Sequence, residues 1–188
     1  MGRWEGDAAG RLSGAAMRLY VERGYEQTTV AEIAAEAGLT ARTFFRHFAD
    51  KREVLFAGSE RLLTHMVEAL DAAPATGGPM RTVAAALDAA AELLGRDRSW
   101  SRQRQSLIDT NAELRERELI KMARIAAALA EELRRRGVPA ADASLAAEAG
   151  IAVFRVAWER WLTGADELDL ATVMKATLSR LAAVTAAE

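Results

Sequence analysis

The sequence predicts an all-helical protein, and three observations support this prediction. Leucine, alanine, arginine and glutamate, all strong helix formers, dominate the 188 residues. No clear alternating run of β-branched residues indicates a strand. The three prolines, Pro74, Pro79 and Pro139, all stand in breaks between stretches whose apolar residues have helical spacing. The expected fold class is therefore all-α.

Two helices are predicted before residue 38. The first runs from about Asp7 to Arg23, with apolar residues on one face and Gly24 as a natural C-terminal stop. The second opens with Thr29-Val-Ala-Glu32, a capping box in which hydroxyl and carboxylate satisfy each other's backbone N–H groups. It is expected to end at Gly38 after only two turns.

Two further helices are predicted after Gly38. Thr40 is the expected N-cap of a short third helix over 41–48. Asp50-Lys-Arg-Glu53 has the pattern of a second capping box, which predicts that a long fourth helix begins there. The segment from Asp71 to Pro79 contains two glycines and two prolines, so it is expected to end that helix.

The remainder of the chain predicts five more helices. Their separators contain glycine, proline, aspartate or asparagine, and the helices lie near 80–94, 99–109, 112–136, 140–163 and 169–186. We expect two domains, residues 1–57 and residues 58–188.

Composition excludes several classes of protein and site. The 25 lysines and arginines are balanced by 27 aspartates and glutamates, so a nucleic-acid site has to be a local basic patch. The absence of cysteine excludes disulfides, thiolate metal sites and a cysteine nucleophile. No run of 18 apolar residues and no secretory signal is found, so we expect a cytoplasmic protein without membrane association.

The stretch from Thr28 to Lys51 contains a predicted helix-turn-helix. Two short helices are separated by Ala-Gly-Leu-Thr, in which Gly38 permits a sharp turn and Thr40 caps the next helix. In such motifs the second helix lies in the major groove of DNA. Between Gly38 and Arg52 there are four basic residues and one acidic residue, a local charge of +3 that suits phosphate neutralisation. An ordinary helical hairpin with solvated charges is the alternative.

The same region resembles the N-terminal domain of TetR-family repressors. The resemblance covers roughly residues 7–57 and rests on the stretches GY at Gly24, TTV at Thr28, IA at Ile33, AG at Ala37 and FFRHF at Phe44, followed by Lys51. It implies an all-helical homodimer with an N-terminal DNA-binding domain and a divergent C-terminal domain that binds a small ligand and carries the dimer interface.

This resemblance also implies a set of DNA-binding residues. Thr29 would cap the second helix and contact phosphate, His47 would approach phosphate, and Lys51 would clamp the DNA backbone. The full implied set is Thr28, Thr29, Thr40, Arg42, Thr43, Phe44, His47 and Lys51. Many members have tyrosine where this chain has Phe45, and the missing phenol removes one phosphate contact.

The second half of the chain shows no catalytic constellation. The two histidines, His47 and His65, lack the spacing of a zinc site, and no glycine-rich phosphate loop is present, so we expect no enzyme, metal or cofactor. Phe154, Trp158 and Trp161 form an aromatic stripe on one helix, either in the core or dimer packing or in the wall of a ligand pocket. The candidate pocket residues are Trp100, Arg104, Met122, Phe154 and Trp158.

The stretch from Arg102 to Met122 resembles actinobacterial TetR members related to mycofactocin regulators, which implies an acyl-CoA-type effector. The last two helices interleave small and branched residues and predict a four-helix seam between subunits through Ala149, Val153, Val173, Met174 and Leu181. The expected function is a ligand-responsive regulator, a repressor, that binds a palindromic double-stranded DNA operator. An activator, a small-molecule binder without DNA binding and a helical enzyme are the alternatives.

Overall fold

The computed structural model describes residues 5–74, 76–165 and 167–186, with side chains from Ala8 onward. The predicted domains also include residues 1–4, 75, 166 and 187–188, which lie outside the described part. Within that part there are nine α-helices and no strand, which confirms the all-α prediction. The helices are α1 (Glu5–Arg23), α2 (Val30–Glu36), α3 (Ala41–His47), α4 (Ser59–Ala72), α5 (Pro79–Leu94), α6 (Arg98–Thr110), α7 (Ala112–Arg135), α8 (Ala140–Thr163) and α9 (Leu170–Thr185).

The helices begin and end where the local chemistry of the sequence provides caps. Gly24 follows α1 with a φ of 91°, a left-handed conformation that glycine adopts without steric cost. Pro79 occupies the first turn of α5, where its missing N–H removes no intrahelical hydrogen bond. Asp169 caps α9, because its carboxylate accepts a hydrogen bond of 2.9 Å from the N–H of Thr172.

The predicted continuous helix from Asp50 is wrong. Residues Glu53–Phe56 form a separate 3-10 turn, and α4 begins only at Ser59. The Asp50 carboxylate accepts hydrogen bonds from the N–H groups of Arg52 at 2.8 Å and Glu53 at 3.2 Å, which closes a tight turn around its own side chain. The capping interaction at Asp50 is therefore present, but it opens a 3-10 turn.

Contacts divide the chain into two compact units. The N-terminal unit comprises residues up to Ser59 together with residues 102–119. The C-terminal unit comprises residues 60–101 and everything after 119. Residues 102–119 therefore pack with the N-terminal unit, where Arg104 and Arg117 contact the 3-10 turn, although the sequence-based division at residue 57 groups them with the second domain.

The core of the C-terminal unit is built mainly from α5, α8 and α9, which pack on one another. Helices α5 and α8 pack tightly at Gly150, where an added Cβ would stand 2.5 Å from Cγ1 of Val83. Arg98 fixes the end of α8, because its guanidinium donates to the carbonyls of Trp161 and Gly164 and lies 5.4 Å from the Trp161 ring centroid. Across the described residues, no helix combines the length and the apolar composition that crossing a lipid bilayer requires.

Candidate nucleic-acid interface

The first helix of the predicted motif begins at a complete capping box. The Thr29 hydroxyl accepts a hydrogen bond of 3.3 Å from the N–H of Glu32, and the Thr29 N–H donates to the Glu32 carboxylate at 2.8 Å. The Thr29 hydroxyl also donates to the Glu32 carboxylate at 2.8 Å, and the two hydrogen bonds that the carboxylate accepts from Thr29 lower the pKa of Glu32. The predicted cap is thus confirmed, and Thr29 is exposed.

The turn between α2 and α3 depends on Gly38. Its φ of 64° is left-handed, and the N–H groups of Gly38 and Leu39 donate to the carbonyls of Ala35 at 2.9 Å and Ala34 at 2.8 Å. Thr40 then caps α3, because its hydroxyl accepts a hydrogen bond of 3.2 Å from the N–H of Thr43. The turn chemistry predicted from the sequence is therefore present in full.

Helix α3 has one face in the core and one exposed face. Phe44 is completely buried and contacts the buried Phe48 with ring centroids 5.5 Å apart. Arg42, Phe45 and Arg46 are exposed, and Thr43 is half-buried. The exposed face is therefore basic and carries one aromatic ring, which is the composition expected of a helix that enters a DNA groove.

Two residues of the predicted DNA-binding set are buried and have to be removed from it. Thr28 is only 1% exposed, and its hydroxyl donates to the Gly24 carbonyl at 2.8 Å. Phe44 has no exposed surface, because it fills the space between the helices of the motif. Neither side chain has surface or unused polar atoms with which to contact DNA.

Lys51 also has a different role from the predicted phosphate clamp. Its ammonium group donates to the backbone carbonyls of Tyr25 at 2.9 Å, Glu26 at 3.3 Å and Thr28 at 3.3 Å. It also lies 4.3 Å from the centroid of the Tyr25 ring, within cation–π range. An ammonium group has three N–H donors, and all three are used here. Lys51 therefore fastens the loop that precedes α2.

His47 lies at the C-terminal end of α3, as predicted. Its ring is half-buried beside Phe48, with centroids 6.4 Å apart, and its enclosed Nε2 has no hydrogen-bond partner among the described residues. The remaining members of the predicted set, Thr29, Thr40, Arg42 and Thr43, lie together on the same two helices. The phosphate contact of His47 stays a prediction.

An ionic network that sequence reasoning missed surrounds the 3-10 turn. Arg117 pairs with Glu53 at 2.6 Å and with Asp50 at 3.6 Å. Burial raises the pKa of Asp50, but hydrogen bonds from Arg52 and from the backbone of Glu53 and Arg52 outweigh it and lower that pKa overall. No local pattern predicts these pairs, because Arg117 is more than 60 residues from its partners.

Arg104 is a second anchor of this turn. Its Nε donates to the Leu55 carbonyl at 2.9 Å, its Nη1 pairs with Glu118 at 3.2 Å, and its guanidinium lies 4.9 Å from the Phe56 ring centroid. Burial lowers the pKa of Arg104, and Glu118 opposes that shift. Since its donors and its planar face are engaged within the N-terminal unit, we withdraw Arg104 from the predicted ligand pocket.

The other predicted pocket residues belong to the C-terminal unit. Phe154 and Trp158 stack with ring centroids 5.9 Å apart and planes 11° apart, and Trp158 lies 5.3 Å from Trp161. Phe154 and Trp161 are buried, whereas Trp158 is only half-buried. Met122 and Trp158 are partly buried residues that pack against the core of this unit, and Trp100 is half-buried in the first turn of α6.

The predicted dimer residues fall into two groups. Val153, Val173 and Met174 are 5% exposed or less and pack in the core of their own subunit, so they cannot form a seam with a second one. Ala149 and Leu181 retain part of their surface. The exposed apolar side chains of α8 and α9 are instead Leu145, Val156 and Val184.

Two families match the sequence. Residues 13–57 match the family described as bacterial regulatory proteins, tetR family. Residues 78–186, more than half of the chain, match the family described as the MftR C-terminal domain. The HTH-type transcriptional regulator TcmR of Streptomyces glaucescens is 39% identical over 83 residues, which are 44% of this chain and 35% of that protein. The match therefore spans about a third of this relative.

Solved structures with a similar fold include two regulators crystallised with acyl-CoA. FadR from Bacillus subtilis, in complex with stearoyl-CoA, has a TM-score of 0.64 and 21% identity and covers 92% of this chain and 96% of its own. Thermus thermophilus FadR, described as a TetR-family transcriptional repressor in complex with lauroyl-CoA, has a TM-score of 0.59 and 22% identity and covers 96% of each chain. At this identity the likeness establishes a shared fold.

Proposed function

The chain belongs to the tetR family of bacterial regulatory proteins, and from this premise we propose that it is a homodimeric repressor released from a palindromic operator by a small apolar effector. Regulators of this family bind DNA and are not enzymes. The observation that carries the proposal is the exposed face of α3, where Arg42 and Arg46 stand on a helix fixed at its start by Thr40 and from beneath by Phe44.

Selection of DNA fragments from a genomic pool tests operator binding directly. At about 150 mM salt, close to physiological ionic strength, the wild-type protein should enrich an inverted repeat whose half-sites are about 34–36 Å, or a multiple of that, apart. Arg42→Ala should weaken binding to that site, whereas Arg96→Ala, which removes an exposed arginine of the C-terminal unit, should not. No enrichment over scrambled DNA would refute the proposal.

The proposed dimer interface uses the apolar side chains that the subunit leaves exposed. Leu145, Ala152 and Val156 follow one another on α8 at spacings of seven and four, so they share one face of the helix. Leu145 is 72% exposed and Val156 is 49% exposed, and Val184 on α9 is 66% exposed. Surfaces of this kind are buried when two copies meet through the same patch.

Sedimentation at micromolar concentration tests this interface. The double variant Leu145→Glu, Val156→Glu should sediment as a monomer. The helical content and melting temperature of this monomer should be those of a single folded subunit. Leu168→Glu, at another exposed apolar residue, is the matched control and should leave the dimer intact. A monomeric wild type, or an intact dimer in the double variant, would contradict the proposed interface.

For the effector we propose a long-chain acyl-CoA, with Trp100, Met122, Phe154 and Trp158 as candidate contacts. The support is the match to the MftR C-terminal domain and the acyl-CoA complexes named for the two FadR structures. The half-buried Trp158, stacked on Phe154, offers an aromatic surface of the kind that apolar ligands contact. An effector releases DNA only if it binds the DNA-free conformation more tightly.

Titration of acyl-CoAs of increasing chain length into the operator complex, followed by DNA release and tryptophan fluorescence, tests this assignment. Coenzyme A and the free fatty acid are the controls for the two halves of the ligand. Trp158→Ala should weaken release without changing operator affinity. Release by none of these compounds would exclude the effector class. Transcription in vitro from a promoter that overlaps the operator then separates repression from activation.

A further inference from the structure

Phe45 is an aromatic side chain exposed on the DNA-facing side of α3. Phe45 is 59% exposed, and it is the one aromatic residue among the large exposed apolar residues of the described part of the chain. Its ring meets the completely buried Phe44 edge to face, with centroids 5.5 Å apart and an interplanar angle of 81°. The ring of Phe45 therefore touches the core through Phe44 and leaves most of its surface open to solvent.

Two exposed arginines lie close to Phe45 in the sequence of α3. Arg42 precedes it by three residues and Arg46 follows it directly, and both are exposed on the same helix. Residues three or four apart are neighbours on a helix surface, so Arg42 lies next to Phe45 on one side and next to Arg46 on the other. A surface with this charge has DNA as its complementary partner, and the exposed ring of Phe45 borders it beside Arg42.

A phenylalanine ring has no hydrogen-bond donor or acceptor, so phosphate oxygens offer it no favourable contact. The apolar group that base edges present in the major groove is the C5 methyl of thymine. Resting on the proposed DNA-binding function, we propose that Phe45 contacts the C5 methyl of one thymine in each half-site and so determines sequence specificity at that base pair.

Deoxyuridine substitution tests this contact at the level of a single methyl group. In the selected operator, each thymine of a half-site is replaced in turn by deoxyuridine, symmetrically in both halves, which removes the C5 methyl and preserves base pairing. At one position, the loss of each methyl group should weaken binding of the wild-type protein about 4-fold. Replacement of the thymine in both half-sites should therefore weaken binding about 15-fold relative to the unmodified operator. Phe45→Ala should bind both operators with equal affinity.

Two controls separate this role from others. Arg42→Ala should lose affinity for both operators and keep the wild-type ratio between them. Phe45→Ala should keep the wild-type melting temperature, because its ring is exposed, and the wild-type salt dependence, because an apolar contact releases no counterion. A thymine-to-deoxyuridine ratio that is the same in Phe45→Ala and wild type at every position would overturn the inference. Failure of the proposed function differs from this, because then no operator would be selected.

Discussion

Replacing Lys51 with methionine should lower the stability of the protein and leave the salt dependence of operator binding unchanged. Methionine keeps most of the aliphatic stem of lysine and removes the ammonium group. The carbonyls of Tyr25, Glu26 and Thr28 then lose their shared donor, and the Tyr25 ring loses its cation. The loop before α2 is therefore the part of the molecule that should loosen first.

The expected loss follows from the geometry of the three hydrogen bonds. A hydrogen bond to a charged group contributes about 1.5–3 kcal/mol net, and the two longer bonds share the same ammonium, so we expect a total of about 2–4 kcal/mol. In a protein of this size each kcal/mol changes the melting temperature by roughly 2–4 °C. The midpoint should therefore fall by about 4–16 °C.

Thermal unfolding followed by circular dichroism at neutral pH measures this change. Lys175→Met is the matched control, because the side chain of Lys175 is 69% exposed and its ammonium lies 3.8 Å from Asp88. Removal of such a surface ion pair should change the free energy of unfolding by no more than about 0.5–1 kcal/mol. Both variants carry the same loss of charge, so a difference between them reports the carbonyl contacts.

Operator affinity measured over a range of salt concentrations provides the decisive comparison. A phosphate contact contributes about 0.9 to the slope of log K against log salt, so two Lys51 contacts in a dimer would contribute about 1.8. We expect Lys51→Met to keep the wild-type slope at temperatures well below its midpoint. A slope reduced by about 1.8 with an unchanged melting temperature would show that Lys51 binds phosphate and that our reasoning is wrong.

Three further predictions concern the motif and its anchors. Thr29→Val should lose the N-cap of α2 at a cost of about 1 kcal/mol, while Thr29→Ser should keep it. Hydrogen bonds with Thr29 lower the pKa of Glu32, so the stabilisation they provide is present above the ordinary pKa of 4.5 and is lost as pH falls through the lowered value. The difference in stability between wild type and Thr29→Val should therefore shrink in acid. Phe44→Ala should cost about 3–5 kcal/mol in urea unfolding, in contrast to Phe45→Ala, and an equal effect of the two would contradict the assigned helix faces. Arg104→Met should cost about 1–3 kcal/mol, since it removes the donor of the Leu55 carbonyl and the cation beside Glu118, and an unchanged urea midpoint would count against this anchor.

Local chemistry made the helices of this protein predictable from its sequence. Thr29 and Thr40 cap the helices that follow them, and Gly24 and Gly38 adopt the left-handed conformations expected of helix ends. Each of these features depends on residues within a few positions of one another. The exception is the region after Asp50, where a 3-10 turn and a continuous helix both satisfy the same aspartate cap.

The use of individual side chains was harder to predict, because it depends on residues distant in the sequence. Lys51 carries the charge expected of a phosphate contact, but a loop more than 20 residues away takes up its donors. Thr28 is polar yet buried, because its hydroxyl donates to the carbonyl of Gly24 at the end of α1. On α8 and α9, apolar and small residues occur on several faces, so the pattern could not separate Val153 in the core from Val156 on the surface.

The composition of the N-terminal unit has a consequence for protein engineering. A hybrid that joins residues 1–57 to the ligand-binding domain of another regulator would omit residues 102–119. It would then lack Arg117, which pairs with Glu53 and Asp50, and the guanidinium of Arg104 over the Phe56 ring. A hybrid regulator of this kind therefore needs a graft of two discontinuous pieces, and the second piece brings part of the native sensor with it.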